Sequence, residues 1–256
     1  EYTLHLNHYS NVLLFFMIIS LFVLSCGKKE VSGEKKKYLI ATDSIYAPFE
    51  FQENGKYVGI DIDIIGAISK LEGFEYELKP MDFGGIIAAL QSGQIDGAIA
   101  GATITEERKQ AVDFSDPYYE KGLVAVVNKE NTTIAKAEDL VGKRLAIKNG
   151  TSGADYVNEK LKGKAEVRVY EDTVSMFKAV ENNQADAAFE DLPVIEYSIK
   201  TTPNTKLKVG TDKLTLGYYG FMVKKGGNKE LLEKFNSGLR KIRESEEYDK
   251  ILAKYK

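Results

Sequence analysis

Two segments of this chain, residues 87–99 (IAALQSGQIDGAI) and 177–189 (FKAVENNQADAAF), lie over one another with Ala89 on Ala179, Gln94 on Gln184, Asp96 on Asp186 and Ala98 on Ala188. Each reads as a helix, a tight turn and a short buried strand, so the same supersecondary unit occurs twice. A chain of 256 residues is long enough for two small halves, each with its own core. Continued past the strands, the alignment carries Gly101 onto Asp191. A candidate ligand contact therefore follows each copy, which two related lobes facing each other across a cleft explain economically.

Strand and helix signals alternate from Tyr38 onward. Residues 38–42 form a compact strand before a loop closed at Pro48, and residues 49–51 and 57–58 flank an Asn54-Gly55 hairpin signal. Ile64, Ile65, Ile68 and Leu71 keep helical spacing up to a stop at Gly73. Strands follow at 74–78 and 95–100, with a helix at about 85–91 between them. The plan continues with strands at 123–127, 144–147, 167–170, 185–189 and 219–223, and with helices at 153–161, 174–181, 194–199, 229–243 and 246–255. This alternation predicts an α/β fold with mainly parallel, wound sheets, whose ligands collect at the carboxyl ends of strands.

Charged residues make up 29% of the chain, yet both signs are intermixed and the net charge is −3, so no nucleic-acid partner is expected. The beginning of the chain differs in kind. Residues 12–24 (VLLFFMIISLFVL) are apolar apart from Ser20, a length suited to a signal-peptide core and short for a membrane span. With Leu24-Ser25-Cys26-Gly27 they resemble a bacterial lipoprotein signal over residues 1–25, after which Cys26 would carry lipid; an uncleaved anchor is the alternative. A lysine-rich tether, residues 26–37, would then hold the folded part at a membrane surface outside the cytoplasm. Cys26 is the only cysteine, which excludes a disulfide within the chain.

The groups predicted at strand ends and helix starts are Asp43, Tyr46, Phe83, Gly101, Thr103, Arg108, Lys148, Thr151, Ser152, Glu190 and Asp191. Together they supply a guanidinium and helix N-terminal amides for a carboxylate, a carboxylate for an ammonium, and rings for an aliphatic stem. That set fits an α-amino acid. Taken singly, each has another reading: Arg108 as an exposed residue of a capped helix start, Thr103 and Thr151 as caps, Asp43 in an Asx-turn, Tyr46 and Phe83 as core or rim, Lys148 as a solvated lysine, and Glu190 and Asp191 as caps of the next helix. No Ser/His/Asp set or metal cluster is visible, and His5 and His8 fall in the leading segment, so no catalytic residue, metal or cofactor is expected.

Ordered motifs connect these groups. They are Ala41-Thr42-Asp43 with Pro48-Phe49-Glu50-Phe51, then Gly59-Ile60-Asp61-Ile62-Asp63, Met81-Asp82-Phe83-Gly84-Gly85, Gly101-Ala102-Thr103-Ile104-Thr105-Glu106-Glu107-Arg108, and Asp113-Phe114-Ser115-Asp116-Pro117-Tyr118-Tyr119. Through them the chain from Tyr38 onward resembles the bacterial polar amino-acid-binding proteins of ABC importers (solute-binding protein family 3), and within these the glutamine-binding type. The resemblance implies a two-lobed, type II periplasmic-binding-protein-like fold of two wound sheets joined by a two-strand hinge. Lobe 1 would comprise residues 38–119 and 220–256, and lobe 2, residues 120–219, would be inserted between them with the hinge near 120–122 and 217–220. It further implies that Arg108 clamps the ligand α-carboxylate with the amides of Thr103 and Ser152. The Thr103 hydroxyl, the Gly101 carbonyl and Asp191 would hold the α-ammonium, Tyr46 and Phe83 would sandwich the side chain, and Asp43 and Lys148 would stand near its tip. Such a protein works as a monomeric periplasmic or cell-surface receptor that closes about its hinge and delivers its ligand to a membrane permease.

One position departs from the glutamine-binding pattern, since Glu190 stands where that type has histidine. With Arg108 and Asp191 assigned to the ligand backbone, Asp43 and Glu190 face Lys148 with a net charge of −1, which favours a donor-rich side chain. A glutamine-like ligand is favoured, because Lys148 can pair with Asp43 and repels a cation. A cationic ligand, arginine or lysine, is the alternative. A dehydratase-type enzyme on the same scaffold, with Glu190 as general acid, is a minor one.

Overall fold

The computed structural model describes residues 36–256. Cys26, the expected signal and most of the expected tether lie outside the described residues. In chain order the elements are β1 (Lys37–Asp43), β2 (Phe51–Glu53), β3 (Lys56–Val58), α1 (Ile60–Glu72), β4 (Glu75–Met81), α2 (Ile86–Ser92), β5 (Gly97–Ala98), α3 (Arg108–Ala111), β6 (Val112–Phe114) and β7 (Tyr119–Asn128). They continue with β8 (Arg144–Lys148), α4 (Ser152–Lys160), β9 (Glu166–Tyr170), α5 (Thr173–Glu181), β10 (Ala187–Asp191), α6 (Leu192–Thr201), β11 (Leu207–Val209), β12 (Thr215–Tyr219), β13 (Met222–Lys224), α7 (Lys229–Glu244) and α8 (Glu247–Lys254).

Two sheets define two lobes. The first has the order β4-β1-β5-β13-β6, in which β1 runs parallel to β4 and β5 while β13 is antiparallel to β5 and β6. The second has the order β11-β7-β10-β8-β9, with β12 also paired to β7. Both sheets are covered on two faces. Along β7 the period of two sends Leu123, Ala125 and Val127 to a cluster with Leu145, Ile147 and Val157, and sends Val124 and Val126 to another with Met176, Val180 and Ile195. In the first lobe Ile64, Ile65 and Ile68 of α1 meet Phe235, Leu239 and Ile242 of α7 in one core. The axes approach closely where Gly238 faces Ile68, since a Cβ there would lie 2.6 Å from Ile68 Cγ2. Among the described residues no helix is long and apolar enough to cross a membrane.

The internal repeat is a repeat of hydrogen bonding. After α2, Gly93 turns with φ 76° and the Gln94 amide donates to the Ala89 carbonyl at 3.0 Å; after α5, Asn183 turns with φ 57° and the Gln184 amide donates to the Ala179 carbonyl at 2.8 Å. Asp96 then accepts from the Leu39 amide at 2.9 Å and returns its own amide to the Leu39 carbonyl at 2.8 Å. Asp186 does the same with Arg144, at 2.8 Å and 2.7 Å. In each lobe the repeated aspartate therefore pins the turn against the start of the neighbouring parallel strand, which sets the register of the strand that follows.

Two departures from the predicted elements bear on the cleft. The predicted strand 95–100 pairs only at Gly97 and Ala98, because the chain then curls away through Gly101 at φ 53°. The predicted strand 219–223 is two strands, β12 in the second sheet and β13 in the first, broken at Gly220 and Phe221 where the chain passes between them. There Gly220 donates to the Ala102 carbonyl at 3.0 Å, and a Cβ would lie 2.8 Å from the Phe114 ring. The other passage, from β6 to β7, runs alongside, tied by the Tyr118 amide to the Tyr219 carbonyl at 2.9 Å. Paired β7 and β12 thus form the two-strand connection between the sheets.

Candidate functional site

The cleft is built from loops that leave the carboxyl ends of strands. In the first lobe Asp43 ends β1, Tyr46 follows it, Phe83 follows β4, Gly101 and Thr103 follow β5, and Arg108 opens α3. In the second, Lys148 ends β8, Thr151 and Ser152 start α4, and Glu190 and Asp191 end β10. All eleven predicted residues line one cavity, joined by Ala100, Leu123, Gly153 and Phe189. Gly101 is required by its surroundings, since a Cβ there would lie 2.6 Å from the Tyr46 ring in a backbone conformation that L-residues disfavour.

Arg108 is buried rather than an exposed residue of a capped start. One guanidinium nitrogen donates to the Thr103 carbonyl and the other to the Gly150 carbonyl of the opposite lobe, both at 2.8 Å, and the group lies 5.4 Å from the centre of the Phe83 ring. Five N–H donors in a planar fork leave capacity for an anion beyond these two bonds. Thr151 does cap α4, accepting from the Ala154 amide at 3.3 Å and donating to the Lys148 carbonyl at 2.8 Å. Its hydroxyl is therefore occupied locally.

Across the cleft, Lys148 and Asp43 form a buried ion pair between the lobes. The Lys148 ammonium also lies 5.4 Å from the Tyr46 ring centre and 5.7 Å from that of Phe83. At the other side stands an acidic corner. Glu190 accepts at Oε1 from the Tyr46 hydroxyl and the Asp191 amide, both at 2.9 Å, and at Oε2 from the Thr173 hydroxyl at 3.0 Å. Asp191 accepts at Oδ2 from the Tyr219 hydroxyl at 2.5 Å, with the Tyr46 hydroxyl 3.1 Å away, and at Oδ1 from the Lys121 ammonium at 2.8 Å. The single proton of the Tyr46 hydroxyl can satisfy only one of the two carboxylates at a time. Burial, and then the charge of Asp191, push the Glu190 carboxyl up to about 7.

Three members of this corner, Lys121, Thr173 and Tyr219, were not among the predicted site residues. Lys121 is fully enclosed, with 1% of its side chain exposed, and bonds both Asp191 and the Ser152 hydroxyl at 2.8 Å. Nothing local marks it: it precedes an apolar strand beside Glu120, and only its cross-strand pairing with Gly217 aims it inward.

A pair of wound α/β lobes, linked by two strands and closing on one charged interlobe cavity, defines a binding protein of the two-lobed periplasmic type. The chain belongs to the bacterial extracellular solute-binding proteins, family 3, which it matches over residues 38–256. A probable histidine-binding protein of Neisseria gonorrhoeae is 34% identical over 225 residues, covering 86% of this chain and 83% of its own length. An ancestral arginine-binding protein bound to arginine is similar in structure with a TM-score of 0.81 at 42% identity, covering 86% of this chain and 97% of the other. An ancestral arginine-binding protein bound to glutamine gives 0.80 at 42% identity, with the same coverage of each chain.

Proposed function

We propose that this protein is the extracytoplasmic binding component of an amino-acid ABC importer, capturing a polar L-amino acid between its lobes and passing it to a membrane permease. The observation that carries this reading is the presence, within one cavity, of the Arg108 fork and the Asp191 carboxylate. These fit an α-carboxylate and an α-ammonium respectively, with the amides of Thr103 and Ser152 beside the first, and the Thr103 hydroxyl and Gly101 carbonyl beside the second. Tyr46 and Phe83 flank the space for a side chain, whose tip meets the Asp43–Lys148 pair. Because these groups come from both lobes, a ligand that touches all of them favours the closed arrangement over an open one. Lobe 1 would be residues 38–119 with 220–256, and lobe 2 residues 120–219. The working protein is a monomer held at a membrane surface through lipid on Cys26.

A glutamine-like ligand is favoured over a cationic one, because Lys148 already neutralises Asp43 and stands where a ligand cation would. Relatives named for histidine and arginine support amino acids as the class, and those names keep arginine or lysine as the alternative. A thermal-shift screen of the twenty amino acids tests the reading. At a hundredfold excess over its dissociation constant, a ligand stabilises by about 2.7 kcal/mol, which for a protein of this size raises Tm by roughly 5–10 °C. Glutamine is expected to give the largest shift. A flat response to all twenty would overturn the receptor reading.

A further inference from the structure

Lys121 changes the charge balance of the cleft. Without it, the charged side chains lining the cavity are Asp43, Glu190 and Asp191 against Arg108 and Lys148, an excess of one negative charge. Lys121 does not line the cavity, but its ammonium sits directly behind it, on Asp191 Oδ1 and the Ser152 hydroxyl at 2.8 Å each. Asp155, another carboxylate near Arg108 and Lys121, stands on α4 outside the cavity lining, on the Arg108 side, with its carboxyl raised first by burial.

The local backbone is shaped for this lysine. Lys121 on β7 pairs with Gly217 on β12, and a Cβ at Gly217 would lie 3.1 Å from Lys121 Cε and 3.2 Å from Thr103 Cγ2. The bare glycine lets the lysine stem run between the two strands' side chains and deliver a buried cation to the corner. There it also helps two adjacent buried carboxylates to coexist, since Glu190 and Asp191 would otherwise repel each other with hydroxyls, one amide and the charge of Lys148 for compensation.

We propose that Lys121 is a specificity-determining residue that brings the cleft to charge neutrality, so that it selects amino acids with an uncharged polar side chain over those with a cationic one. This rests on the amino-acid receptor reading above. A zwitterion with a neutral side chain enters a balanced site without leaving an unpaired charge. Arginine or lysine adds one cation to a region that already holds three, and Glu190, which among the described residues has no cationic partner, already has its oxygens taken by the Tyr46 and Thr173 hydroxyls and the Asp191 amide. Removing the Lys121 charge restores the negative excess and with it a counter-charge for a cationic side chain.

Calorimetric titration of the wild type, Lys121→Met and Lys121→Gln with L-glutamine and L-arginine at pH 8 tests this. The wild type is expected to bind glutamine more tightly than arginine, and each variant to shift the affinity ratio toward arginine by tenfold or more. Methionine keeps the stem, and glutamine keeps a donor for Ser152 and Asp191, so the two separate charge from packing. A ratio within about threefold of wild type, in a variant that still melts cooperatively, overturns the role of Lys121 and leaves the receptor reading standing. A wild type that prefers arginine overturns it as well, and needs no variant to fold. Absence of binding by the wild type to either ligand overturns the receptor reading and this inference with it.

Discussion

Replacing Arg108 with alanine is expected to weaken amino-acid binding about 100- to 1000-fold, equivalent to about 3–4 kcal/mol. The cost is large because the ligand carboxylate would enter a largely dry cleft and lose its only bidentate partner, while keeping its desolvation penalty. Arg108 also joins the lobes through its bond to the Gly150 carbonyl, so the variant loses a contact of the closed form. Arg108→Lys retains the charge but not the fork, and is expected to fall between the two. Calorimetry reads both effects. An alanine variant with wild-type affinity would mean that the carboxylate is held elsewhere.

The second large effect is on stability and runs opposite to the usual behaviour of carboxylates. Glu50 and Asp61 are both fully buried. Asp61 Oδ2 accepts from the Gly101 amide and the Tyr118 hydroxyl, each at 2.8 Å, but neither Glu50 oxygen nor Asp61 Oδ1 meets an N–H or hydroxyl donor. The remaining donor is a proton on Glu50 itself, which the neighbouring Asp61 carboxylate can accept. Burial, and then the negative charges of Asp61 and Asp43, hold Glu50 well above the usual carboxylate range, and burial holds Asp61 at about 6. Glu190, at about 7, is shifted in the same direction.

A carboxyl raised on folding keeps its proton in the native state where the unfolded chain has already lost it. Stability is therefore greatest near pH 4–5 and falls as pH rises through the native values of about 6 and 7. Shifts of this size correspond to at most about 3 kcal/mol each. Below pH 4 the trend reverses, because Asp113 and Asp186, lowered first by hydrogen bonds from Lys225 and Arg144, then lose their charge. Glu50→Gln replaces the shared proton with an amide donor that does not titrate. This variant is expected to be more stable than wild type at pH 8 and to show a shallower decline from pH 5 to 8. Glu190→Gln removes a further part. Urea midpoints across this range check the effect, and a wild-type midpoint that rises steadily from pH 5 to 8 would contradict it.

How far the sequence reveals this molecule depends on the distance over which each feature is determined. Long periodic segments such as α1 and α7 are legible because their own residues carry the apolar stripe. The three-residue strands β6 and β11 are not, for they exist only through pairing with β13 and β7. The break at Gly220 leaves no local mark in the strand signal, which runs through 219–223, and only the resemblance put a hinge at 217–220. The eleven predicted residues that line the cavity were legible as strand ends and helix starts, where an α/β fold collects ligands. Lys121 and Tyr219 were not, since they reach Asp191 from 70 and 28 residues away through the pairing of β7 with β10 and β12. Of the two, Lys121 alone carries a charge, and without it the cleft looks one charge more negative than with it.

The most direct test is calorimetric titration of the wild-type protein with each of the twenty L-amino acids at neutral pH. One-to-one binding of a polar amino acid, tightest for glutamine, is the expected result; no binding of any of the twenty would contradict the assignment of the interlobe cleft as an amino-acid site.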